Sequence, residues 1–173
     1  MSLGWKAALA AAVLAGAGLA VTGSAVSTAA ADPAQLARGA YLARIMDCGG
    51  CHTPGAMTPE PDLDHPLSGG TVGFRVGPLG VFFPPNLTSD PATGLGAWSA
   101  AEIEAALRQG LRPDGRELAP IMPWRAYAAL EAEDMAALVA YLQSLPPVSN
   151  QVPEPVAVGA PAPLPYLDLV LPN

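Results

Sequence analysis

The chain has 173 residues, which is enough for one domain of ordinary size. It contains 20 prolines and 18 glycines while only 13% of its residues are charged, a balance that favours small-residue helices joined by long loops. Its net charge of −7 argues against nucleic acid and anionic lipid as partners, and suits docking to a basic patch on a partner protein.

Residues 1–31 are typical of a secretory signal peptide. A short polar start ends at Lys6, an apolar stretch runs from Ala7 to about Val21, and small residues lead to Ala31. The apolar stretch of about 15 residues is shorter than the roughly 20 that a membrane span needs. We therefore expect cleavage after Ala31 and a periplasmic protein; a retained leader would instead tether the protein to the cytoplasmic membrane.

A first helix is predicted from Asp32 to Asp47. Asp32 is a good N-cap, Pro33 suits the first helical position, and Gln35 completes a capping-box pattern. Gly39 is costly inside a helix, so we expect another helix to approach its bare backbone closely.

The stretch from Cys48 to His52 reads Cys-Gly-Gly-Cys-His, the pattern of a c-type haem attachment site. Each cysteine can bond one vinyl group of the haem, and the histidine that follows is placed to bind the iron. The glycines between them carry no side chain that could clash with the macrocycle. A thioredoxin-like dithiol has no need of the histidine, and a zinc site needs four ligands. The sequence therefore predicts one covalent haem c, bound by Cys48 and Cys51 with His52 on the iron.

The stretch from residue 53 to Leu87 is predicted to be irregular. Prolines rule out a long helix over residues 53–68, where His65 is either a second axial ligand or, as we favour, an exposed loop histidine. Further on, two apolar runs around Gly77-Pro78 predict one short hairpin whose apolar residues line the haem pocket. Asn86 begins an N-glycosylation pattern, which we attribute to chance in a bacterial exported protein.

A second helix is predicted from Trp98 to Gln109. Ser99 and Glu102 form a capping-box pattern at its start, and Gly110 ends it. A turn follows at residues 113–115.

The methionines are the candidates for the sixth iron position: Met1, Met46, Met57, Met122 and Met135. The first is lost with the leader, the next two lie too near the haem motif to reach the opposite face, and the last falls in an apolar helical stripe, where core filler is the better interpretation. Met122 follows Pro120 and precedes Pro123, and this stiff loop would help to hold a weak thioether ligand. We therefore predict His52 and Met122 as the metal ligands, with His65 or an open position as alternatives.

The last part of the chain contains a short helical turn, a final helix and a tail. The turn is predicted over residues 124–129, and the helix over residues 132–145, ending before Pro146. The proline-rich tail, residues 149–173, is either an extended arm around the domain or a partner-binding extension. The predicted divisions are thus a leader to residue 31, a domain over residues 32–148 and this tail.

In combination these pieces resemble the class I cytochrome c family. The closer likeness is to the cytochrome c modules of periplasmic alcohol and gluconate dehydrogenase cytochrome subunits, and it covers about Leu36 to Val148. Besides the haem motif, it is carried by these residues: Asn86-Leu87-Thr88, Gly94-Leu95-Gly96-Ala97-Trp98-Ser99, Arg112-Pro113-Asp114-Gly115-Arg116, Met122-Pro123-Trp124, Tyr127 and Ala140-Tyr141-Leu142-Gln143-Ser144-Leu145-Pro146-Pro147. The resemblance implies an all-α fold of three to four helices around one haem.

The resemblance also implies how the first and last helices meet. In that family they cross at near right angles, and here Gly39 and Tyr41 would face Leu138 and Tyr141. A backbone carbonyl should accept the proton on the other nitrogen of His52, and Pro78 is our candidate for it.

The function expected from residues and resemblance is one-electron transfer, without catalysis by this chain. The donor would be a dehydrogenase and the acceptor a terminal oxidase or another cytochrome, and electrons would leave through an apolar patch at the thioether edge of the haem. Subunits of this type often carry three haem domains, whereas this chain has one Cys-x-x-Cys-His motif, which favours a free carrier or a one-haem subunit. The alternatives are a cytochrome subunit docked permanently to a dehydrogenase, and a haem enzyme or sensor with an open or bis-histidine iron.

Overall fold

The computed structural model describes Met1 and residues 32–170, so the predicted leader and its cleavage site lie outside the described residues. Across this described part, no helix has both the length and the apolar character needed to cross a membrane. The helices and strands of residues 32–170, in chain order, are α1 (Pro33–Ile45), α2 (Cys48–His52), β1 (Gly73–Arg75), β2 (Val81–Phe82), α3 (Ala100–Gln109), α4 (Trp124–Tyr127), α5 (Ala132–Ser144) and β3 (Tyr166–Leu167).

Helices α1 and α5 pack closely at Gly39. A side chain there would overlap the carbonyl oxygen of Ala137 and would lie 2.5 Å from Cβ of Tyr141, so the predicted close approach is confirmed. The place predicted for Tyr41 in this crossing is wrong, because its side chain is 51% exposed. Its ring instead lies beneath the guanidinium of Arg38, 5.3 Å from the ring centroid, where it gains a cation–π contact with solvent on its other side.

The hydrophobic core is formed by the inner faces of α1, α3 and α5. Its most deeply buried apolar side chains are Leu42, Ile103, Met135, Leu138 and Leu142. Burial of each of the large aliphatic ones contributes roughly 1.5–3 kcal/mol. Met135 has no exposed surface, which confirms that it is core filler.

The caps of α3 follow the prediction closely. Ser99 Oγ accepts from the amide of Glu102, and the Glu102 carboxylate accepts from the amide of Ser99 at 2.7 Å, which completes the capping box. Gly110 ends the helix in the left-handed region with φ of 67°. At α1 the cap differs from the prediction, since the Asp32 carboxylate accepts from the amide of Ala34 at 3.3 Å rather than from that of Gln35.

A small sheet makes the all-α prediction incomplete. Strands β1 and β2 form the predicted hairpin, with Phe74 opposite Phe82. The tail then supplies β3, which pairs in parallel with β1 so that Gly73 lies opposite Tyr166 and the strand order is β2-β1-β3. The tail therefore runs along the hairpin as an extended arm, the first of the two predicted alternatives.

Candidate functional site

Helix α2 presents the two cysteines and the histidine of the motif on a single turn. Asp47 precedes it in the left-handed region with φ of 56°, and so reverses the direction of the chain after α1. The Asp47 carboxylate then occupies the space that a side chain at residue 50 would need, with one oxygen 2.6 Å from an ideal Cβ. A side chain at residue 50 would therefore displace the Asp47 carboxylate, a contact that the sequence interpretation did not foresee when it assigned the glycines to the macrocycle alone.

Burial keeps the reactive groups of the motif uncharged. It raises the pKa of the Cys48 thiol to about 11 and also raises that of Cys51, so both are neutral thiols near pH 7. His52 is only 6% exposed, and this burial lowers the pKa of its imidazole. A hydrogen bond to a backbone carbonyl acts in the opposite direction but has the smaller effect. A neutral imidazole is the form that binds a metal.

The orientation of the His52 ring is fixed by Pro85. Its Nδ1 lies 2.8 Å from the carbonyl oxygen of Pro85, and because that oxygen can only accept, Nδ1 carries the proton and donates it. The lone pair of Nε2 is thereby left for a metal. The prediction of a backbone carbonyl partner is confirmed, but the choice of Pro78 is wrong, since Pro78 lies in an exposed turn beyond β1.

Pro85 is brought to His52 by two loop segments that pair with each other. The amide of Gly69 donates to the carbonyl of His52 at 2.7 Å, which joins the first segment to α2. The amide of Gly70 donates to Pro84, and that of Leu87 donates to Leu67, which joins the second segment to the first. The Pro85 carbonyl thus lies between two residues, Pro84 and Leu87, that are bonded to the first segment.

Asn86, next to Pro85, is a buried polar residue that stabilises the same loop. It is 1% exposed, and its Oδ1 accepts from both the amide and the hydroxyl of Thr88. Its Nδ2 donates to the carbonyl of Val148 at 2.7 Å and to Thr93 Oγ1 at 3.1 Å. Every polar atom of the side chain is used internally, which supports our view that the glycosylation pattern here arose by chance.

Met122 lies in a short turn beside α3. Its amide donates to the carbonyl of Ala119, and its own carbonyl accepts from the amide of Trp124 at 2.8 Å. The Trp124 ring packs against the backbone of Gly110, where a side chain would lie 2.5 Å from the ring. The end of α3 therefore positions the turn that carries Met122.

These elements enclose a cavity of about 590 Å³, within the range of cofactor sites in proteins. Representative lining residues are Cys48, Cys51, His52, Trp98, Leu107 and Met122. The residues fit a haem c, because the cavity offers two thiols, one imidazole with a free nitrogen and the thioethers of Met46 and Met122 within a largely apolar wall.

The other sequence candidates lie elsewhere, with one exception. His65 is 56% exposed at its side chain, and its Nδ1 lies 2.9 Å from the Asp62 carboxylate in the loop after α2. Met57 is exposed, and Met135 is in the core. Met46 does line the cavity, directly before the haem motif.

Two cavity residues were missed by the sequence interpretation, Arg112 and Arg116. They lie on either side of the Asp114 turn, 3.4 and 3.0 Å from its carboxylate, and Arg112 also stacks on Trp98. Their positive charge complements the carboxylates that a haem carries. The signal available in the sequence was two arginines flanking a Pro-Asp-Gly turn, which brings both side chains to one edge of the turn.

Comparison with known proteins identifies related sequences. The family model for cytochrome c matches residues 36–146. The chain is 38% identical to a nicotinate dehydrogenase subunit of Pseudomonas putida, over 69% of this chain and 9% of that protein. It is 36% identical to the cytochrome c subunit of a quinone alcohol dehydrogenase from Gluconacetobacter polyoxogenes, over 72% of this chain. It is also 36% identical, over 70% of this chain, to a diheme c-type cytochrome of Cereibacter sphaeroides.

These relatives are much longer than the matched region. The chain spans 25% of the alcohol dehydrogenase subunit and 39% of the diheme cytochrome. The matches therefore describe one module of each relative and leave the rest of those proteins without a counterpart in the alignment.

Proposed function

Because the chain belongs to the cytochrome c family, we propose that it is a periplasmic, monohaem c-type cytochrome that carries single electrons from a dehydrogenase or another donor to a respiratory-chain acceptor. The observation that best supports this function is the buried His52, whose Nδ1 is occupied by Pro85 and whose ring lines the same cavity as Met122. Both side chains line one cavity, which supports the proposal that they hold the same iron.

In the proposed site, Cys48 and Cys51 attach the haem and His52 and Met122 bind its iron. The haem supplies a one-electron couple between ferric and ferrous iron. With His52 and Met122 both holding the iron, the chain would leave no coordination position for a substrate, and its role would be electron transfer without catalysis.

The cavity wall favours the reduced state of such a centre. Its lining is largely apolar, with Leu107, Leu138 and Leu142 among the side chains that exclude water. Ferric haem carries more charge than ferrous haem, so low polarity disfavours it, and a thioether ligand acts in the same direction. We therefore expect a higher reduction potential than bis-histidine ligation would give.

The proposed partners follow from the relatives and from charge. The relatives are named as subunits of nicotinate, alcohol, gluconate and fructose dehydrogenases, which makes a dehydrogenase the proposed donor. After the predicted cleavage, seven arginines remain against 15 acidic residues, which suits a partner with a basic patch. Exposed Ile121, next to Met122, adds an apolar contact point at the cavity.

Absorption spectroscopy tests the proposed ligands. The oxidised protein should show a weak near-infrared methionine–iron band, and the reduced protein a c-type α-band. The near-infrared band should be lost in Met122→Ala but kept in Met46→Ala and His65→Ala, which serve as matched controls because one lines the cavity and the other is the second histidine. Loss of the band in His65→Ala or Met46→Ala, with Met122→Ala unchanged, would contradict the assignment.

A second candidate function is a cytochrome subunit docked permanently to a dehydrogenase, which the names of the relatives favour. A tagged chain purified from its own cells would then carry a dehydrogenase at a fixed ratio through gel filtration in high salt. A free carrier would elute alone. Rapid carbon monoxide binding by the native reduced protein would instead indicate an open iron, and with it a haem enzyme or sensor.

A further inference from the structure

The C-terminal strap, which we define as residues 151–168, forms part of the haem cavity. Five consecutive residues at its start, 151–155, line the cavity. The match to the cytochrome c family model ends at residue 146, so this part of the wall lies outside the matched region.

The strap is bonded to the hairpin at two places. Val156 and Val81 exchange both backbone hydrogen bonds, each at 2.8 Å. Further along the strap, the amide of Gly73 donates to the carbonyl of Pro165 at 2.8 Å, where β3 joins β1. The segment is therefore held at both ends against the strands that lie behind the cavity.

Side chains add contacts on either side of these bonds. Val152 packs so closely on Gly69 that a side chain at residue 69 would overlap it. At the far end, Arg75 stacks on the Tyr166 ring at 4.8 Å, and its Nε lies 3.0 Å from the Asp168 carboxylate. The strap is thus packed on the domain and is not a loose extension.

The strap also reaches across to the other side of the cavity. The Glu154 carboxylate lies 3.5 Å from the guanidinium of Arg116, on the turn that carries the two cavity arginines. Both residues, with Phe82 and Pro155, line a second, open hollow of about 520 Å³ next to the main cavity. The strap therefore bridges the hairpin and the arginine turn at one edge of the cavity.

We propose that the strap is a fixed wall of the haem cavity that excludes water from one edge of the bound haem. The inference rests on the function proposed above. By excluding water, the strap holds the reduction potential up, because a drier surrounding disfavours the more charged ferric state. It also slows the entry of external ligands, which must wait for the wall to open locally.

Two shortened chains test this wall. A chain ending at Asn150 loses the strap but keeps the bond from Asn150 Nδ2 to Ser68 at 2.8 Å, while a chain ending at Asp168 keeps every strap contact and serves as the control. The chain ending at Asn150 should have a lower reduction potential. It should also bind imidazole at the ferric haem more than about tenfold faster, because it loses both backbone bonds between Val156 and Val81 and the loss of one net hydrogen bond is already worth about tenfold. The control should match the full chain in both measurements.

A full-length variant keeps the test valid if the shortened chain fails to assemble. Val156→Pro removes the amide that donates to Val81, so it should shift both measurements in the same direction by a smaller amount. Unchanged potential and imidazole binding in both altered chains would overturn the inference, as would loss of dehydrogenase binding with both values unchanged. A full-length protein that carries haem but lacks the methionine–iron band would contradict the proposed ligands. The strap would still be tested in that case, because the reduction potentials of the full chain and the altered chains could still be compared.

Discussion

The two sides of the cavity are positioned in different ways. On the His52 side, the ring nitrogen, the residue's carbonyl and the loop that supplies Pro85 are all hydrogen-bonded, and buried Asn86 supports them from behind. On the Met122 side, the methionine lies half-buried between exposed Ile121 and Pro123, in a turn closed by two backbone bonds.

The difference indicates that the position of the His52 side chain is fixed more firmly by the protein than that of the Met122 side chain. The imidazole is oriented by one hydrogen bond to Pro85, and backbone bonds hold both His52 and the loop that carries Pro85, so we expect its position not to depend on an iron. The thioether depends on a short turn and on the packing of Trp124 against Gly110, so we expect the Met122 side to open first and at a lower cost in free energy.

The largest change is expected from Asn86→Ala, which weakens the rigid His52 side. It removes four hydrogen bonds and leaves the buried amide of Thr88 without its acceptor, while the Val148 carbonyl keeps a bond from Thr88 Oγ1, so unfolding of the haem-loaded protein should become easier by about 3 kcal/mol. Guanidinium denaturation measures this. The matched control is Asn150→Ala, a half-buried amide bonded to a carbonyl, which should cost about 1 kcal/mol. Equal losses in the two variants would contradict the special role of Asn86.

A smaller change is expected from Gly110→Ala on the Met122 side. Its φ of 67° costs an L-residue roughly 1–2 kcal/mol, and the added methyl group would also press on the Trp124 ring. Gly115→Ala is the control, because its φ is 81° but nothing lies within 4 Å of the added atom. We expect similar backbone strain in both and a weakened methionine–iron band only in Gly110→Ala. The same band in both variants would show that Trp124 does not position Met122.

The smallest change is expected from pH, through Asp90 near the His52 side. Hydrogen bonds hold the pKa of the Asp90 carboxyl below its usual range. The largest effect comes from the Thr93 hydroxyl, and nearby backbone amides add to it. Because this folded-state pKa is lowered, its contribution to stability is present at neutral pH and is lost as the pH falls through about 4 and below. Asp90→Asn should therefore reduce the difference in unfolding free energy between neutral and acidic pH, measured by denaturation at both. An unchanged difference in Asp90→Asn would argue against the role of this carboxylate.

Local features of the fold could be predicted because short stretches of sequence determine them. Ser99 and Glu102 are three residues apart, and the capping box they form depends on nothing distant. Gly39 could be interpreted correctly because a glycine in an otherwise regular helix has few explanations other than close packing. The haem motif is likewise contained in consecutive residues, so the cysteine spacing and the histidine that follows together indicate it.

Features that depend on distant segments could not be predicted in the same way. Pro85 rather than Pro78 reaches His52 because two loops pair, and no local pattern records that pairing. Strand β3 has only two residues, too few to show a periodic pattern in the sequence. Its partners, Gly73 and Phe74, lie more than 90 residues earlier in the chain. Tyr41 was wrongly predicted to pack between α1 and α5. An aromatic residue near a helix crossing can equally well stack on a neighbouring arginine, as Tyr41 does on Arg38.

The pairing of Gly73 with Tyr166 also bears on the order in which an exported chain can assemble. In a periplasmic protein, as proposed, Cys48 and Cys51 would cross the membrane before residue 166, and β3 could pair with β1 only afterwards. We therefore expect the prosthetic group to be attached before the strap closes one edge of the cavity, without a separate step that reopens a finished fold.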